Sequence, residues 1–345
     1  MSKIDPNKVV IWEKNVSNVK NSDNINTNVT ESNPIKDTSN ASSDKYTGKA
    51  NPSKHPDEVS KVDFSNINGS IVKASGATSA TVNSIKNLKG VDKAWVGNIS
   101  SNTNSSGKSE TAILTPKGLD YSKEIKVVYY FHGHHGSNSS SINSINDDLM
   151  KYAKEHNAII VIPQGPNEDN GKRTTDSWLK PPKGDFSKFN QDVLVNIKNI
   201  LPPSQNGAQP KITSIELAGH SAGGVAVRNC LEGIKDNKNS FSGSGWNDIK
   251  ITNVHFLDAS YEDGNGSGTS NRAEETYAAI NKMDNKPKFH IMVATNGDRE
   301  YKFGAKEGSH FKDKDKLKAK GVELEDISGK TKNHNFVPNV FFSGK

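Results

Sequence analysis

Short apolar runs alternate along the chain with longer stretches that mix apolar and polar residues, and this pattern begins near residue 108. The short runs are rich in β-branched residues, and their length suits strands rather than helices. The predicted strands are 111–115, 125–131, 158–162, 212–218, 251–257 and 289–294. The longer stretches between them predict helices at 141–155, 185–200, 222–234 and 271–283.

The predicted strands are continuous apolar runs, without the strict alternation that marks a strand with one face in water. Such strands are typical of a mostly parallel sheet, and helices between them would cover both of its faces. The sequence therefore predicts a doubly wound α/β fold. Because ligands in this fold class bind beyond the carboxyl ends of the strands, the polar residues that follow the strands are the candidates for a functional site.

The first part of the chain has a different composition. Residues 1–60 are rich in Asn, Ser, Lys, Asp and Thr, with few large apolar side chains. Such a segment cannot bury enough surface to offset the entropy of ordering it, which predicts disorder. Residues 61–107 are expected to form an extension of uncertain structure, with a short helix at 80–88 and a linker at 98–107. The α/β domain is then expected to span 108–345.

The strand at 212–218 runs into Gly219-His-Ser-Ala-Gly-Gly224, and an apolar helix is predicted directly after it. This is a G-x-S-x-G motif between a strand and a helix, the context of a nucleophile elbow. The small residues permit a sharp turn that projects Ser221, and the following helix directs its N-terminus towards the reacting oxygen. Ser221 is therefore the candidate nucleophile. The alternative is a glycine-rich turn that holds a buried serine.

The strand at 125–131 ends in His132-Gly-His-His-Gly136. Adjacent loop histidines rarely converge on one ion, and no nearby carboxylate completes a tetrahedral set, so a metal site is not favoured. The segment is better interpreted as a loop that donates a backbone N–H group to an oxyanion. His134 or its neighbour Gly133 would supply one N–H group, and Ala222 would supply the second.

A nucleophilic serine needs a base, and the base needs an orienting acid; in this fold they follow the serine as acid and then histidine. His334, in a polar loop near the chain end, is the preferred base, and His310 is its rival. Asp258 and Asp298 each follow a predicted strand, and the sequence does not choose between them as the acid. The alternative role for either aspartate is that of a turn or cap residue.

These motifs resemble the α/β-hydrolase superfamily, and within it esterases of the polyhydroxyalkanoate-depolymerase and feruloyl-esterase type. The resemblance runs from about residue 108 to the chain end and is carried by His132-Gly133, 161–166, Ser177-Trp178 and 219–224. It implies an α/β-hydrolase fold with 108–345 as the catalytic domain. The chain departs from these esterases in its polar N-terminal extension and in having no disulfide.

The resemblance implies a serine hydrolase that cleaves a small or polymeric carboxylic ester without a cofactor. The same residues would also serve an amidase, a peptidase or an acyltransferase, and a third possibility is a non-catalytic binding module that kept the fold. Trp178 and His220 are the candidate substrate-binding residues. For Trp178 the alternative is an aromatic side chain that packs a long loop onto the body of the domain.

Composition limits the partners and the location of the protein. The 345 residues carry a net charge of +6, and the lysines are scattered, which argues for a solvated surface and against a nucleic-acid partner. The single cysteine, Cys230, excludes an intrachain disulfide and is expected to be a buried thiol. There is no long apolar run and no apolar segment after Met1. The default prediction is a cytoplasmic protein without a membrane span, with signal-independent export as the alternative.

Overall fold

The computed structural model describes most of the chain from Ile71 onward. The described residues are 71–104, 107, 109–134, 136–166, 178–181, 183–201, 210–234, 238–243, 246–259, 272–294 and 314–344. The predicted disordered segment, 1–60, lies outside the described residues, so that part of the sequence interpretation stays a prediction.

The core of the protein is one sheet. Its strands are β1 (Ile71–Lys73), β2 (Val91–Asn98), β3 (Glu110–Pro116), β4 (Ile125–Phe131), β5 (Ala158–Pro163), β6 (Ile212–His220), β7 (Phe241–Gly243), β8 (Trp246–Leu257), β9 (Lys288–Val293) and β10 (Glu323–Asp326). They lie in the order β1-β2-β3-β5-β4-β6-β8-β9-β10, and β7 pairs with β8. Strand β3 runs antiparallel to both β2 and β5, whereas all pairs from β5 to β10 along this path are parallel. The predicted mostly parallel sheet is confirmed.

Helices cover both faces of this sheet. They are α1 (Ser79–Asn87), α2 (Asn138–Ile145), α3 (Asp147–Glu155), α4 (Phe186–Ile200), α5 (Gly223–Glu232), α6 (Arg272–Asn281), α7 (Lys314–Ala319) and α8 (Val337–Ser343). Successive residues of β4 point to opposite faces. Tyr129 and Phe131 pack in the cluster that includes α4, α5 and α6, whereas Val128 and Tyr130 pack in the cluster with α1, α2, α3 and α8. The doubly wound α/β fold class is therefore confirmed.

The predicted helix at 141–155 is two helices. Helix α2 ends before Asn146 and α3 begins after it, and Asn146 has a φ of 55°. This left-handed conformation cannot continue an α-helix, and asparagine tolerates it better than most residues do. The Ser137 side chain caps α2, so this helix begins three residues earlier than predicted.

The sheet begins earlier in the chain than the predicted boundary at 108. Strand β2 pairs with β3 over its whole length and buries Ala94, Trp95 and Val96. The short helix predicted at 80–88 is present as α1, which packs beside β2. Strands β1 and β2 thus belong to the sheet, and the first residue of the predicted linker at 98–107 is the last residue of β2. The local pattern of β2 hid it, because Asp92 and Lys93 interrupt the apolar run.

The pairing of β2 with β3 predicts different outcomes for two N-terminal truncations. A chain that starts at residue 61 keeps every described strand and should retain its fold and activity. A chain that starts at 108 loses β2 and the buried Trp95, which exposes the edge of β3 and removes core surface. It should be recovered only as aggregate. Circular dichroism and thermal unfolding of the two chains check this, and a folded chain from 108 would place β2 outside the essential core.

The strand order places a crevice at the carboxyl edge of the sheet. Strand β4 lies between β5, which follows it in the chain, and β6, so the direction of winding reverses at β4. In open α/β sheets the crevice at such a reversal is where ligands bind. The segments that leave β4, β6 and β8 at this edge carry His132, Ser221 and Asp258.

Candidate active site

Ser221 lies in a sharp turn between β6 and α5. Its φ is 52°, a left-handed conformation that costs energy for a residue with a side chain and that persists only where the surroundings enforce it. The glycines around it allow the turn. A Cβ at Gly223 would lie 2.1 Å from the carbonyl oxygen of Phe131, and one at Gly219 would lie 2.7 Å from the carbonyl oxygen of Gly223. The sharp turn at Ser221 therefore depends on both glycines, because a side chain at either position would clash with backbone atoms.

Asp258 lies beside the Ser221 turn at the end of β8. The backbone N–H of Ser221 donates to the carbonyl oxygen of Leu257 at 3.1 Å, so the serine turn is bonded to the residue before the aspartate. Asp258 itself has a φ of 48°, and its N–H donates to the carbonyl oxygen of Met292 in β9. Two neighbouring strands thus end in strained turns at the same edge of the sheet.

His334 pairs with Asp258. Its Nδ1 lies 2.7 Å from Oδ2 of the aspartate, and both side chains are buried. A buried carboxylate needs such a partner to offset its desolvation. His334 begins a short 3-10 turn, His334–Phe336, that leads directly into α8. The rival base and the rival acid, His310 and Asp298, lie outside the described residues.

The loop after β4 approaches the serine closely. A Cβ built on Gly133 would lie 3.0 Å from Cβ of Ser221 and 3.0 Å from Nδ1 of His220, so a larger residue here would push against both of them. The loop is a tight turn, in which the N–H of Gly136 donates to the carbonyl oxygen of Gly133. His134 lies in it at an exposed position, and Ala222 directly follows Ser221 in the chain, as the N-cap of α5. The first N–H groups of a helix have no partner within the helix.

A buried histidine, His132, holds this loop. Its Nε2 accepts the backbone N–H of Gly165 at 2.9 Å, so its proton is on Nδ1, which donates to the carbonyl oxygen of Gly133 at 2.8 Å. Burial lowers the pKa of His132 to about 4, although the bond to Gly133 opposes this shift. The ring is therefore neutral at pH 7 and has one fixed tautomer. The sequence interpretation gave His132 no separate role.

A second layer of polar groups supports His132, and sequence reasoning did not find it. The Gln164 side chain accepts the N–H of Asn138 at 3.0 Å, and its Nε2 lies 3.3 Å from Nε2 of His132. The buried carboxylate of Glu110 accepts bonds from the N–H of Thr78 and the hydroxyl of Thr81. The only hint in the sequence is that Gln164 directly follows an apolar strand. These bonds tie the loop after β4 to β5 and to the starts of α1 and α2.

Trp178 is fully buried and belongs to the same support. Its indole N–H donates to Oδ1 of Asn102 at 3.0 Å, and its ring packs on Phe131 and His132. A Cβ on Gly165 would lie 2.5 Å from the indole. These contacts match the alternative given for Trp178, in which it packs a loop onto the domain, and they leave no surface of the indole for a substrate.

His220, the second candidate substrate-binding residue, is buried between the serine turn and His334. Its Nε2 lies 3.0 Å from the carbonyl oxygen of His334, and the centroids of the two rings are 4.5 Å apart. Burial lowers the pKa of His220 to about 3, and the neighbouring His334 adds to the shift. His220 is thus neutral at pH 7 and faces His334 rather than solvent.

The low pKa of His132 predicts a loss of stability in acid. Between pH 6.5, the ordinary pKa of histidine, and pH 4, the unfolded chain takes up a proton on this residue and the folded chain does not. The free energy of unfolding should therefore fall as the pH drops through this window and should not change above it. At pH 5 the loss from His132 alone is about 2 kcal/mol.

Urea unfolding of the wild type and of His132→Gln at pH 7, 6 and 5 measures this loss. The variant should show a smaller fall by about 2 kcal/mol between pH 7 and 5. His156→Gln is the comparison variant: His156 is at an exposed position, and its pKa is lowered by partial burial, less than that of His132, so this variant should reduce the fall by less than His132→Gln does. Equal falls in the wild type and in His132→Gln would show that His132 is protonated as readily in the folded chain as in water.

Three further features of the described part of the chain concern metal sites, cysteine reactivity and membrane-spanning helices. There, no group of three or more histidine, cysteine or acidic side chains is arranged to hold a metal ion. Cys230 is buried in α5, as predicted, and burial raises the pKa of its thiol. Over the same residues, each helix is too short or too polar to cross a membrane.

Comparison with known proteins finds similarity among solved structures. A scan against protein-family models gives no match, and a search of curated proteins also gives none. The chain is similar to an S-formylglutathione hydrolase from Agrobacterium tumefaciens, with 14% identity, 73% of this chain and 91% of that chain covered, and a TM-score of 0.41. It is also similar to a poly(3-hydroxybutyrate) depolymerase from Bordetella parapertussis. The sequence identity is 12%, the match covers 78% of this chain and 93% of that chain, and the TM-score is 0.41.

A feruloyl esterase module from Clostridium thermocellum is also similar, at 12% identity, with 79% of this chain and 93% of that chain covered and a TM-score of 0.41. The fold is defined without these matches by the order of the strands and by the left-handed turn at Ser221. The chain therefore has the α/β-hydrolase fold.

Proposed function

We propose that the protein is a serine hydrolase that cleaves a carboxylic ester through an acyl-enzyme on Ser221. His334 is the base and Asp258 is the acid that orients it. The observation that carries the proposal is the buried 2.7 Å hydrogen bond between His334 and Asp258, which lies beside the left-handed turn of Ser221. A histidine held by a carboxylate next to a strained serine is the arrangement that acyl transfer requires.

The reaction has two halves. In the first, the Ser221 oxygen attacks the ester carbonyl while Nε2 of His334 takes the hydroxyl proton, and the tetrahedral intermediate then expels the alcohol, which receives that proton. In the second, His334 takes a proton from water, whose oxygen attacks the acyl-enzyme. Breakdown of the second intermediate releases the carboxylic acid and returns the proton to Ser221.

The negative charge that develops on the carbonyl oxygen needs fixed donors. The backbone N–H of Ala222, at the start of α5, is one, and the N–H of His134 or Gly133 in the loop after β4 is the other. Two observations support this assignment: the close approach of Gly133 to Ser221, and the bonds from His132 that hold the loop. Donors that are fixed before the reaction cost no reorganisation when the charge develops.

The ester as substrate follows from the resemblance of the sequence motifs to esterases. The same three residues would also hydrolyse an amide or transfer an acyl group. A non-catalytic binding module with the same fold is the alternative from another functional class. The geometry around Ser221 and His334 favours an enzyme over a binding module, because a strained turn beside a buried histidine–carboxylate hydrogen bond is typical of active sites.

A fluorophosphonate reagent tests the proposal, because it reacts with an activated serine and leaves ordinary serines unmodified. Mass spectrometry of a proteolytic digest should find the adduct on the peptide that contains Ser221. Hydrolysis of short aryl esters and of the matching anilides then separates ester from amide specificity. An unlabelled, folded protein would contradict the enzyme proposal, and faster hydrolysis of the anilides would contradict the ester.

A further inference from the structure

We propose that His220 is a positioning residue, which holds His334 in register with Asp258 by donating its Nε2–H to the backbone carbonyl of His334. The effect on catalysis rests on the function proposed above, whereas the effect on the geometry of His334 does not. This role replaces the one expected from the sequence, in which His220 would touch the substrate.

The hydrogen bond fixes the proton of His220. A backbone carbonyl oxygen only accepts, so the 3.0 Å contact requires the proton to be on Nε2. The neutral ring then has its lone pair on Nδ1, on the side of the ring that faces Gly133. His220 therefore lies between the loop after β4 and the turn that carries His334. Its Nδ1 faces the loop, and its Nε2 faces the turn.

The two ends of this hydrogen bond differ in how firmly the fold holds them. His220 is the last residue of β6, where its backbone pairs with Leu257 of β8 in the middle of the sheet. His334 follows the exposed residues Lys332 and Asn333, and its own turn is only three residues long. The bond thus joins a rigid strand to a short surface turn.

The carbonyl oxygen of His334 also accepts the backbone N–H of Val337, the first residue of α8. This second bond fixes the end of the turn that leads into α8. It does not prevent the turn from rotating about the α8 axis, so other contacts must restrain that rotation. The Nε2–H of His220 supplies such a contact from the side, and its ring lies against the His334 imidazole at a tilt of 37°. Together these contacts direct Nδ1 of His334 towards Asp258.

Two variants separate the hydrogen bond from packing. His220→Gln keeps a donor at about the position of Nε2 and gives up the ring, whereas His220→Phe keeps the ring and gives up the donor. His220→Phe should lower kcat by about 10- to 100-fold with KM nearly unchanged, since a small misplacement of the base affects the reaction more than binding. His220→Gln should stay within about threefold of the wild-type kcat.

A spectroscopic readout follows the geometry without relying on activity. The Nδ1 proton of His334, in its bond to Asp258, should give a far-downfield proton resonance in the full chain, and Asp258→Asn, which removes this resonance, assigns it. The resonance should persist in His220→Gln and broaden in His220→Phe, because a loosened turn exposes the proton to exchange with water. Thermal unfolding of both variants shows whether the fold itself has changed.

The proposal is overturned if folded His220→Phe keeps both the wild-type kcat and the resonance, or if His220→Gln loses as much of both as His220→Phe. A wild-type protein that shows the resonance but does not react with the fluorophosphonate reagent would contradict the proposed function. In that case the resonance in the two variants still decides whether His220 positions His334.

Discussion

Replacement of Ser221 by alanine should abolish ester hydrolysis and fluorophosphonate labelling while the fold stays intact. The hydroxyl oxygen is the proposed nucleophile, and without it only water in the same pocket can attack the ester. Loss of the nucleophile should lower kcat by at least about 10³-fold, and by up to about 10⁶-fold if the three residues act as a unit. Steady-state kinetics with a short aryl ester measures this loss.

The control for Ser221→Ala is a second serine whose replacement should not affect ester hydrolysis. Ser214 is buried in the same strand, near its start and therefore away from the carboxyl edge of the sheet. Ser214→Ala should retain wild-type kcat and labelling, and both variants should unfold with a single transition. Hydrolysis at the wild-type rate in Ser221→Ala would remove this residue from the mechanism.

Replacement of Asp258 by asparagine should lower kcat by about 10⁴-fold at pH 7. The amide keeps the shape of the carboxylate but not its charge, so it cannot stabilise the imidazolium that forms on His334. The amide group can also direct its N–H towards Nδ1 of His334, which would favour the wrong tautomer of the base. The buried 2.7 Å contact between these two side chains makes this change local.

Measurement of kcat at pH 7 and again near pH 9 identifies the acid. Partial recovery at the higher pH is expected for Asp258→Asn, because hydroxide, a stronger base than imidazole, can take the proton of Ser221 when His334 is wrongly oriented. Asp248→Asn is a matched control, since Asp248 also has a left-handed backbone but lies inside β8, is exposed and pairs with Lys250. Asp298→Asn should have a small effect. A severe effect there and a mild one at Asp258 would reverse the assignment.

Much of the sheet could be predicted from the sequence, because its central strands are mostly buried on both faces and therefore rich in apolar residues. Strand β4 matches its prediction at both ends, and β5, β6 and β9 differ from theirs by one or two residues. Strand β2 was missed since charged residues near its start hide the apolar part. The break between α2 and α3 depends on the left-handed backbone of Asn146, which hydrophobic periodicity does not reveal.

In the candidate site, too, residues of one continuous motif could be predicted from the sequence, whereas contacts between distant parts of the chain could not. Ser221 lies in a motif of consecutive residues, so the sequence could identify it. The acid could not be chosen, because Asp258 and His334 are 76 residues apart and the bond between them depends on the folded chain. The support of the loop after β4 was missed for the same reason, since the ring of His132 is fixed by the backbone of Gly165, at the end of another strand.

The contact of Gly223 with the end of β4 has a consequence for how the substrate range of this protein can change. Backbone touches backbone there, and a Cβ at this position would overlap the carbonyl oxygen of Phe131. The distance between the serine turn and the loop after β4 is therefore set by the main chain, not by the side chains around the pocket. If the proposed function is correct, mutations in the surrounding loops can exchange one acyl or alcohol group for another while the reacting atoms keep their spacing, so selectivity can evolve separately from reactivity.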